Sequence, residues 1–244
     1  MTLAEGQVFT LPAKTYQHLV VVLRRIPGDR VILFNGRGGE YSVSIESVAR
    51  RAVTVRVNGF RDVSRESPLQ VTLGQAVSKG ERMDYTIQKA VELGVSEIQP
   101  LVTDRVVVRL DEERWERKCE HWQAVALSAC EQSGRNQVPQ VLPPRDMRDW
   151  INTAGNDVVK LVLAPGGGSG VGAVKHTDPQ PVWLLVGPEG GLSDVELELA
   201  GLAGFTALSF GPRTLRTETA GVVALSVLQS LWGDLGNLKT QGSL

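Results

Sequence analysis

The first part of the chain shows the alternation of apolar and polar residues that is typical of β-strands. Residues 41–45 and 53–57 both place an apolar side chain at every second position. An earlier strand candidate, residues 30–34, is apolar after Arg30 and leads into a glycine-rich stretch that predicts a hairpin turn. A short helix is predicted over residues 15–25. Several short strands with glycine turns indicate a small β-barrel domain over residues 1–68.

From residue 69 onward, predicted strands and helices alternate, which favours an α/β domain with a parallel sheet over residues 69–244. The predicted strands span residues 69–76, 95–102, 158–164, 182–186 and 207–210. Helices are predicted over residues 82–93, after the cap Asp111, after the cap Ser193, and over residues 217–232. Gly94 would end the first of these helices, and Glu196 would complete a capping box with Ser193. Residues 135–149, which include three prolines, are predicted to be irregular.

The long helix after Asp111 carries both cysteines of the chain. Its apolar stripe, at spacings of three and four residues, consists of Trp115, Cys119, Trp122, Ala126 and Ala129. Cys119 and Cys130 would be about 16 Å apart along this helix, too far for a disulfide, so we expect both to be reduced. With three histidines and no cysteine pair at ligand spacing, the sequence predicts no metal site.

Composition and net charge give little information about the binding partners of the protein. The chain has 42% hydrophobic and 22% charged residues and a net charge of −1, as in an ordinary globular protein. Residues 1–68 have a net charge of +4 and the remaining residues one of −5. This charge is compatible with a nucleic-acid-binding surface on the first part but does not require one. The N-terminus lacks a basic segment followed by an apolar core, and residues 220–232 are too short and too polar to span a bilayer. These features predict a cytoplasmic protein.

Three glycine-containing loops follow the last three predicted strands, at residues 165–170, 187–191 and 211–216. In open parallel sheets, ligands bind beyond the carboxyl ends of the strands, and glycines let the backbone approach a ligand closely. The first loop lacks the Gly-Lys-Ser/Thr ending of a phosphate-binding P-loop, so a flexible surface turn is the favoured interpretation.

The second and third loops carry more candidate chemistry. The second places the carboxylate of Glu189 among a proline and glycines, although an ordinary strand-to-helix turn would have the same composition. The third brings Arg216 and Glu218, with threonines, to a predicted helix N-terminus that offers free N–H donors. The alternative is that Thr217 is an ordinary helix cap.

These two loops closely resemble the signature segments of the ribosomal RNA small subunit methyltransferase E family, within the SPOUT (α/β-knot) superfamily. The segments read LVGPEGGLS at residues 185–193 and LSFGPRTLRTETA at residues 208–220. The resemblance extends over nearly the whole chain, with further matches at residues 18–25, 28–29, 34–36, 79–83, 87–95 and 129–139.

The resemblance implies a fold, an activity and partners. The expected fold is a C-terminal SPOUT domain with a trefoil knot and a parallel sheet, preceded by a PUA-like RNA-binding β-barrel. The implied reaction is methylation of N3 of a uridine in 16S ribosomal RNA of the small subunit, with S-adenosyl-L-methionine as methyl donor. A homodimer is implied as well, with the cofactor site near the subunit interface.

The resemblance also implies roles for individual residues. Cofactor-binding residues are expected at Leu163, Gly187, Pro188, Glu189, Gly190, Gly191, Leu208, Gly211, Leu215, Arg216, Thr217 and Thr219. Candidate contacts to RNA are Arg24, Arg25, Lys79, Arg82, Lys89, Arg105 and Arg135, although surface cations are often only solvated. No specific cofactor contact is assigned to the glycines of residues 166–170.

The chemistry of uridine N3 suggests two catalytic candidates. Neutral N3 carries a proton, which must leave before or during methylation. Arg216 is the first candidate for stabilising the negative charge on the uracil ring, and Glu218 is a candidate proton acceptor. Alternatively, Glu218 is only a first-turn helix carboxylate and Arg216 contacts phosphate. Two other functions stay open: methylation of a ribose 2′-hydroxyl by the same fold, and a non-enzymatic RNA-binding or ribosome-assembly factor.

Overall fold

The computed structural model describes residues 3–106, 111–164, 166–177 and 180–236. Pro165, in the first predicted loop, lies outside the described residues. The chain divides into two compact units, one formed by Met1–Glu66 with Gly134–Val138 and the other by Ser67–Ser133 with Pro139–Leu244. In the described parts of the chain, no helix is long and apolar enough to cross a membrane.

The first unit contains a four-stranded antiparallel sheet. Its strands are β1 (Val8–Thr10), β2 (Arg30–Leu33), β3 (Glu40–Ala49) and β4 (Ala52–Arg61), in the order β1-β4-β3-β2. The predicted alternation is confirmed, because the core lies on the apolar face of β3 and β4 and buries Tyr41, Val43, Ile45, Val53, Val55 and Val57.

The predicted helix over residues 15–25 is shorter and less regular than expected. α1 covers only Ala13–Tyr16, and a π-helical segment, Gln17–Val22, follows it. Three consecutive valines end this segment, and β-branched side chains crowd the preceding turn of a helix. Arg24 then adopts a left-handed φ of 53°, so the helical path has ended before Arg25.

Residues 134–138 return to the first unit, which the sequence did not predict. The Asn136 amide donates to the Val63 carbonyl over 2.5 Å, and the Asn136 carbonyl accepts from the Gly38 amide. The Arg135 guanidinium pairs with Glu66, and this arginine is only 6% exposed.

The second unit is built on a parallel sheet, as predicted. Its strands are β5 (Val71–Ala76), β6 (Glu97–Val102), β7 (Gln140–Val141), β8 (Arg145–Asp146), β9 (Val159–Leu163), β10 (Val182–Val186) and β11 (Thr206–Leu208). Its helices are α2 (Arg82–Glu92), α3 (Glu112–Ser133), α4 (Met147–Ile151), α5 (Asp194–Leu202) and α6 (Thr217–Trp232). The strand order is β11-β9-β10-β5-β6-β7, with β8 also paired to β6.

The predicted helix ends in the second unit are confirmed at several points. Gly94 follows α2 with a φ of +79°, a conformation that glycine adopts without strain. Ser193 and Glu196 form the predicted capping box at the start of α5. The Asp111 carboxylate accepts from the Arg114 amide at the start of α3, which carries both cysteines.

The stretch predicted to be irregular contains β7, β8 and the start of α4. Strands of two residues show no periodicity, and the surrounding prolines suggested a loop. The core explains why α4 forms here, because Trp150 is buried and stacks on Trp183 with 4.5 Å between ring centroids. Gly74 of β5 leaves room for Trp150, since a Cβ atom there would lie 2.6 Å from Trp150 Cζ3 and would overlap the indole ring. The knot implied by the resemblance stays a prediction.

Candidate active site

Three loops that follow neighbouring strands lie at one edge of the parallel sheet. β9 lies between β11 and β10, and all three strands run in the same direction. Leu163 and Leu208, two predicted cofactor residues, are register partners at the ends of β9 and β11. The structure therefore brings residues 166–170, 187–191 and 211–216 to the edge where parallel sheets bind ligands.

The loop after β9 runs directly against β11. The Ser169 amide donates to the Ala207 carbonyl, and the Ser169 carbonyl accepts from the Ser209 amide. Gly168 has no space for a side chain, because a Cβ atom would lie 2.7 Å from both Leu208 Cα and Ser209 N. The glycine at position 168 therefore permits a close backbone approach, which the interpretation as a flexible surface turn did not anticipate.

A chain of hydrogen bonds through Thr217 joins the second and third loops. The hydroxyl of Thr217, the first residue of α6, donates to the Gly187 carbonyl over 2.6 Å. The amide of Gln75, completely buried on β5, donates to the same hydroxyl over 3.0 Å. Arg216 occupies the N-cap position, and its carbonyl accepts from the amides of Thr219 and Ala220. The alternative that Thr217 is an ordinary cap is therefore wrong.

The loop after β10 is a tight turn that needs its glycines. The Gly191 amide donates to the Pro188 carbonyl over 2.8 Å, and Gly191 has a φ of +71°. At Gly187, a Cβ atom would lie 3.0 Å from the Leu192 nitrogen. The turn is thus compact, and three of its five residues carry no side chain.

Glu189 does not point freely into solvent. Its carboxylate accepts from the Lys79 amide over 3.1 Å and from the Arg82 guanidinium over 2.7 Å. Burial alone would raise the pKa of Glu189, but hydrogen bonds from its own amide and from Lys79, together with Arg82, hold that pKa below its usual range. Glu189 is therefore ionised at neutral pH and already bound.

Arg82 also approaches the second signature segment. Its Nε lies 4.0 Å from a carboxylate oxygen of Glu218, whose side chain is 14% exposed. The other oxygen of Glu218 is buried and has no hydrogen-bond partner among the described residues. Arg216, two positions earlier, is exposed. A cationic side chain and an unpartnered carboxylate oxygen thus belong to the same N-terminal end of α6.

Unpartnered polar atoms concentrate at this edge of the sheet. Among the described residues, five buried side chains have a polar atom without a partner, and four of them belong to the second unit. Gln75 and Ser78 lie at the end of β5, Thr103 follows β6, and Glu218 lies in the first turn of α6. Because buried polar atoms are nearly always hydrogen-bonded, this concentration indicates a site for a polar ligand.

Two residues that follow β6 contact the loop after β10 and were not assigned to it from the sequence. The Asp104 carboxylate accepts from the Ser193 hydroxyl and from Arg148, and these contacts lower the pKa of Asp104. Arg105 donates to the carbonyls of Gly190 and Leu192. Their position at the carboxyl end of a parallel strand was the signal that could have identified them.

The candidate RNA contacts fall into different environments. Arg24 and Arg25 are exposed on the first unit, although Arg25 lies 3.9 Å from Asp29. Lys89 pairs with Glu92 within α2. Arg135 is buried against Glu66. The described residues contain no group of three or more His, Cys, Asp or Glu side chains that could hold a metal ion.

Comparisons with known proteins agree with this architecture. The family model of an RNA methyltransferase domain matches residues 65–229, and that of an RNA methyltransferase PUA domain matches residues 11–58. The ribosomal RNA small subunit methyltransferase E of Buchnera aphidicola from Schizaphis graminum is 34% identical, over 94% of this chain and 93% of the relative. The Bacillus subtilis protein of the same name is 33% identical, over 92% of this chain and 90% of the relative.

Two solved structures are similar to this chain over nearly its whole length. A ribosomal RNA small subunit methyltransferase E from Neisseria gonorrhoeae, bound to S-adenosylmethionine, is 37% identical with a TM-score of 0.90, over 96% of both chains. A Legionella pneumophila protein solved with the same cofactor is 43% identical with a TM-score of 0.92, also over 96% of both chains.

Proposed function

The chain belongs to the ribosomal RNA small subunit methyltransferase E family, and from this we propose that it transfers a methyl group from S-adenosyl-L-methionine to N3 of a uridine in 16S ribosomal RNA. The observation that carries the proposal is the convergence of three loops and four unpartnered buried polar atoms at one edge of the sheet. A homodimer and a cytoplasmic location are part of the same proposal.

The residues at this edge fit the proposed cofactor. Glycines at positions 187, 190 and 191 place no side chain over the backbone of this loop, and the start of α6 supplies N–H groups with a positive dipole end. Leu163 at the end of β9 is half-buried and adds apolar surface, while its register partner Leu208 is buried beside it. The residues proposed to hold the cofactor are those of the sequence prediction, namely Leu163, 187–191, Leu208, Gly211, Leu215, Arg216, Thr217 and Thr219. When bound, S-adenosylmethionine supplies an electrophilic methyl carbon.

The side chains of this site can meet two further requirements of the reaction, proton removal and charge stabilisation. The protein must accept the N3 proton and stabilise the charge that its loss leaves on the uracil ring. We assign charge stabilisation to Arg216, an exposed residue at the start of α6. Glu218 is the proposed proton acceptor, because one of its oxygens is buried and has no partner among the described residues. Glu189 is less suited, because Lys79 and Arg82 already bind its carboxylate.

The target base must also be accessible. N3 lies on the Watson–Crick edge of uracil, so a paired uridine must leave its pair before it can react. Single-stranded loops of RNA offer such edges without this cost, which makes a loop uridine the expected acceptor.

The first unit is proposed to bind RNA through Arg24 and Arg25. Replacing both with alanine is expected to weaken binding to unmodified small subunits and to leave cofactor affinity unchanged. The slope of log affinity against log salt should fall by roughly 0.7–0.9 for each lost phosphate contact. Filter binding between low and high salt would measure this change.

The matched control replaces both arginines with lysine, which keeps the charge and should keep most of the slope. RNA affinity and slope that stay at the wild-type level in the alanine variant would exclude Arg24 and Arg25 from the interface.

The proposed function is tested with methyl-labelled S-adenosylmethionine and ribosomal subunits that lack the modification. We expect label to enter the RNA of small subunits and not that of large subunits. Calorimetry with the cofactor alone serves as a parallel measurement. A protein that binds no cofactor and transfers no label would contradict the proposal.

A further inference from the structure

The segment after β6 is fixed to the start of α5 by several polar contacts. The Asp104 amide donates to a carboxylate oxygen of Glu196 over 2.8 Å, and Glu196 is only 1% exposed. The Ser193 hydroxyl donates to the Asp104 carboxylate over 2.9 Å, and Arg148 donates to its other oxygen. The backbone that carries Arg105 is therefore held in place next to the loop after β10.

The Arg105 side chain extends over this loop. Its Nη1 donates to the Gly190 carbonyl over 2.6 Å and lies 3.3 Å from the Leu192 carbonyl oxygen. Its stem lies against the glycine, because a Cβ atom at Gly190 would be 3.3 Å from Arg105 Cδ. One guanidinium nitrogen thus binds two carbonyls of the same loop.

These contacts fix the orientation of two peptide groups. In a trans peptide the C=O and the following N–H point in opposite directions. With the Gly190 carbonyl bound by Arg105, the Gly191 amide points to the other side, where it donates to the Pro188 carbonyl. With the Leu192 carbonyl facing Arg105, the Ser193 amide donates to Glu196 over 2.8 Å.

We infer that Arg105 is a positioning residue for the loop of residues 187–191 and that it acts through the Gly190 and Leu192 carbonyls, not through RNA phosphate. A loop that is ordered before binding loses less conformational entropy when a ligand binds. The inference rests on the proposed function only in assigning this loop to the cofactor. It changes the role of Arg105 from the sequence prediction of an RNA contact.

The test compares Arg105→Met and Arg105→Lys with a control, Arg145→Met, which removes an exposed arginine on β8. The affinity for S-adenosylmethionine, measured by calorimetry, should fall about tenfold in Arg105→Met, the size expected for a lost hydrogen bond to a charged donor. Arg105→Lys should also lose affinity, because an ammonium group cannot reproduce the position of the planar guanidinium. The control should bind as the wild type does.

Two further measurements separate positioning from RNA contact. Amide hydrogen exchange in residues 187–193 of the cofactor-free protein should be faster in Arg105→Met than in the wild type. The salt dependence of binding to unmodified small subunits should be the same in both. Unchanged exchange and cofactor affinity, with a salt slope lower by roughly 0.7–0.9, would overturn the inference and make Arg105 a phosphate contact.

Failure of the proposed function is distinguishable from failure of this inference. A wild-type protein that binds no S-adenosylmethionine would contradict the proposed function. Hydrogen exchange would still decide the role of Arg105, because faster exchange in Arg105→Met supports positioning without any bound cofactor.

Discussion

Replacing Arg216 with alanine is expected to lower the rate of methyl transfer by roughly 100-fold or more, while cofactor affinity stays within a few fold. The Arg216 side chain makes no capping hydrogen bond, and its backbone carbonyl keeps its role at the start of α6. The variant therefore removes a positive charge from the site but keeps the helix cap and the Arg216 backbone, through which this residue is proposed to hold the cofactor. Single-turnover rates and calorimetry, measured on the same preparation, separate the two effects.

Arg213→Ala is the matched control for this experiment. Arg213 is an exposed arginine in the same loop, three residues before Arg216, and has no assigned role in the reaction. Its replacement should leave the rate nearly unchanged. If Arg216→Ala turns over as fast as the wild type, or loses cofactor affinity as strongly as rate, the catalytic role of the Arg216 side chain is wrong.

Replacing Gly168 with alanine is expected to destabilise the second unit by roughly 1–3 kcal/mol and to weaken cofactor binding. The new Cβ atom would lie 2.7 Å from Leu208 Cα and Ser209 N, which are backbone atoms and cannot rotate away. The loop would have to separate from β11 and lose its hydrogen bonds through Ser169. Thermal unfolding measures the loss of stability, and calorimetry measures the loss of affinity.

Gly167→Ala and Gly170→Ala provide the comparison. At both positions an added Cβ atom would have no neighbour within 4 Å, so stability and cofactor affinity should stay close to those of the wild type. Similar unfolding temperatures for Gly168→Ala and Gly167→Ala would contradict the close packing of this loop against β11.

Local sequence patterns predicted the elements whose structure depends on near neighbours. The alternation in residues 41–45 and 53–57 corresponds to β3 and β4, and the capping box of Ser193 and Glu196 corresponds to the start of α5. Both patterns arise from interactions within a few residues or across one hairpin. The parallel order of the second sheet also followed from the alternation of strands and helices.

Elements that depend on distant contacts were not predictable in the same way. α4 begins within a proline-rich stretch and is stabilised by Trp150, which needs the space above Gly74 in β5. The chain segment around Arg135 returns to the first unit because Glu66 and Val63 bind it there. Neither partner lies within a distance along the chain that a local pattern can detect.

The candidate site shows the same division. The sequence identified the glycines and the charged residues of the two signature segments as candidate site residues. It did not predict the hydrogen bonds that join the buried Gln75 to Thr217 and Thr217 to Gly187. Arg105 and Arg135 were predicted to contact RNA because they are basic residues in a chain that resembles a family of RNA methyltransferases. Only the structure shows that one binds loop carbonyls and that the other is buried in an ion pair.

The most direct test of the proposed reaction identifies the atom that receives the methyl group. Small subunits that lack the modification would be incubated with the protein and methyl-labelled S-adenosylmethionine, and their RNA digested to nucleosides for mass spectrometry. The proposed function predicts label in 3-methyluridine. Label in a ribose-methylated nucleoside would contradict N3 as the acceptor, and the absence of label from a protein that binds the cofactor would contradict small-subunit RNA as the substrate.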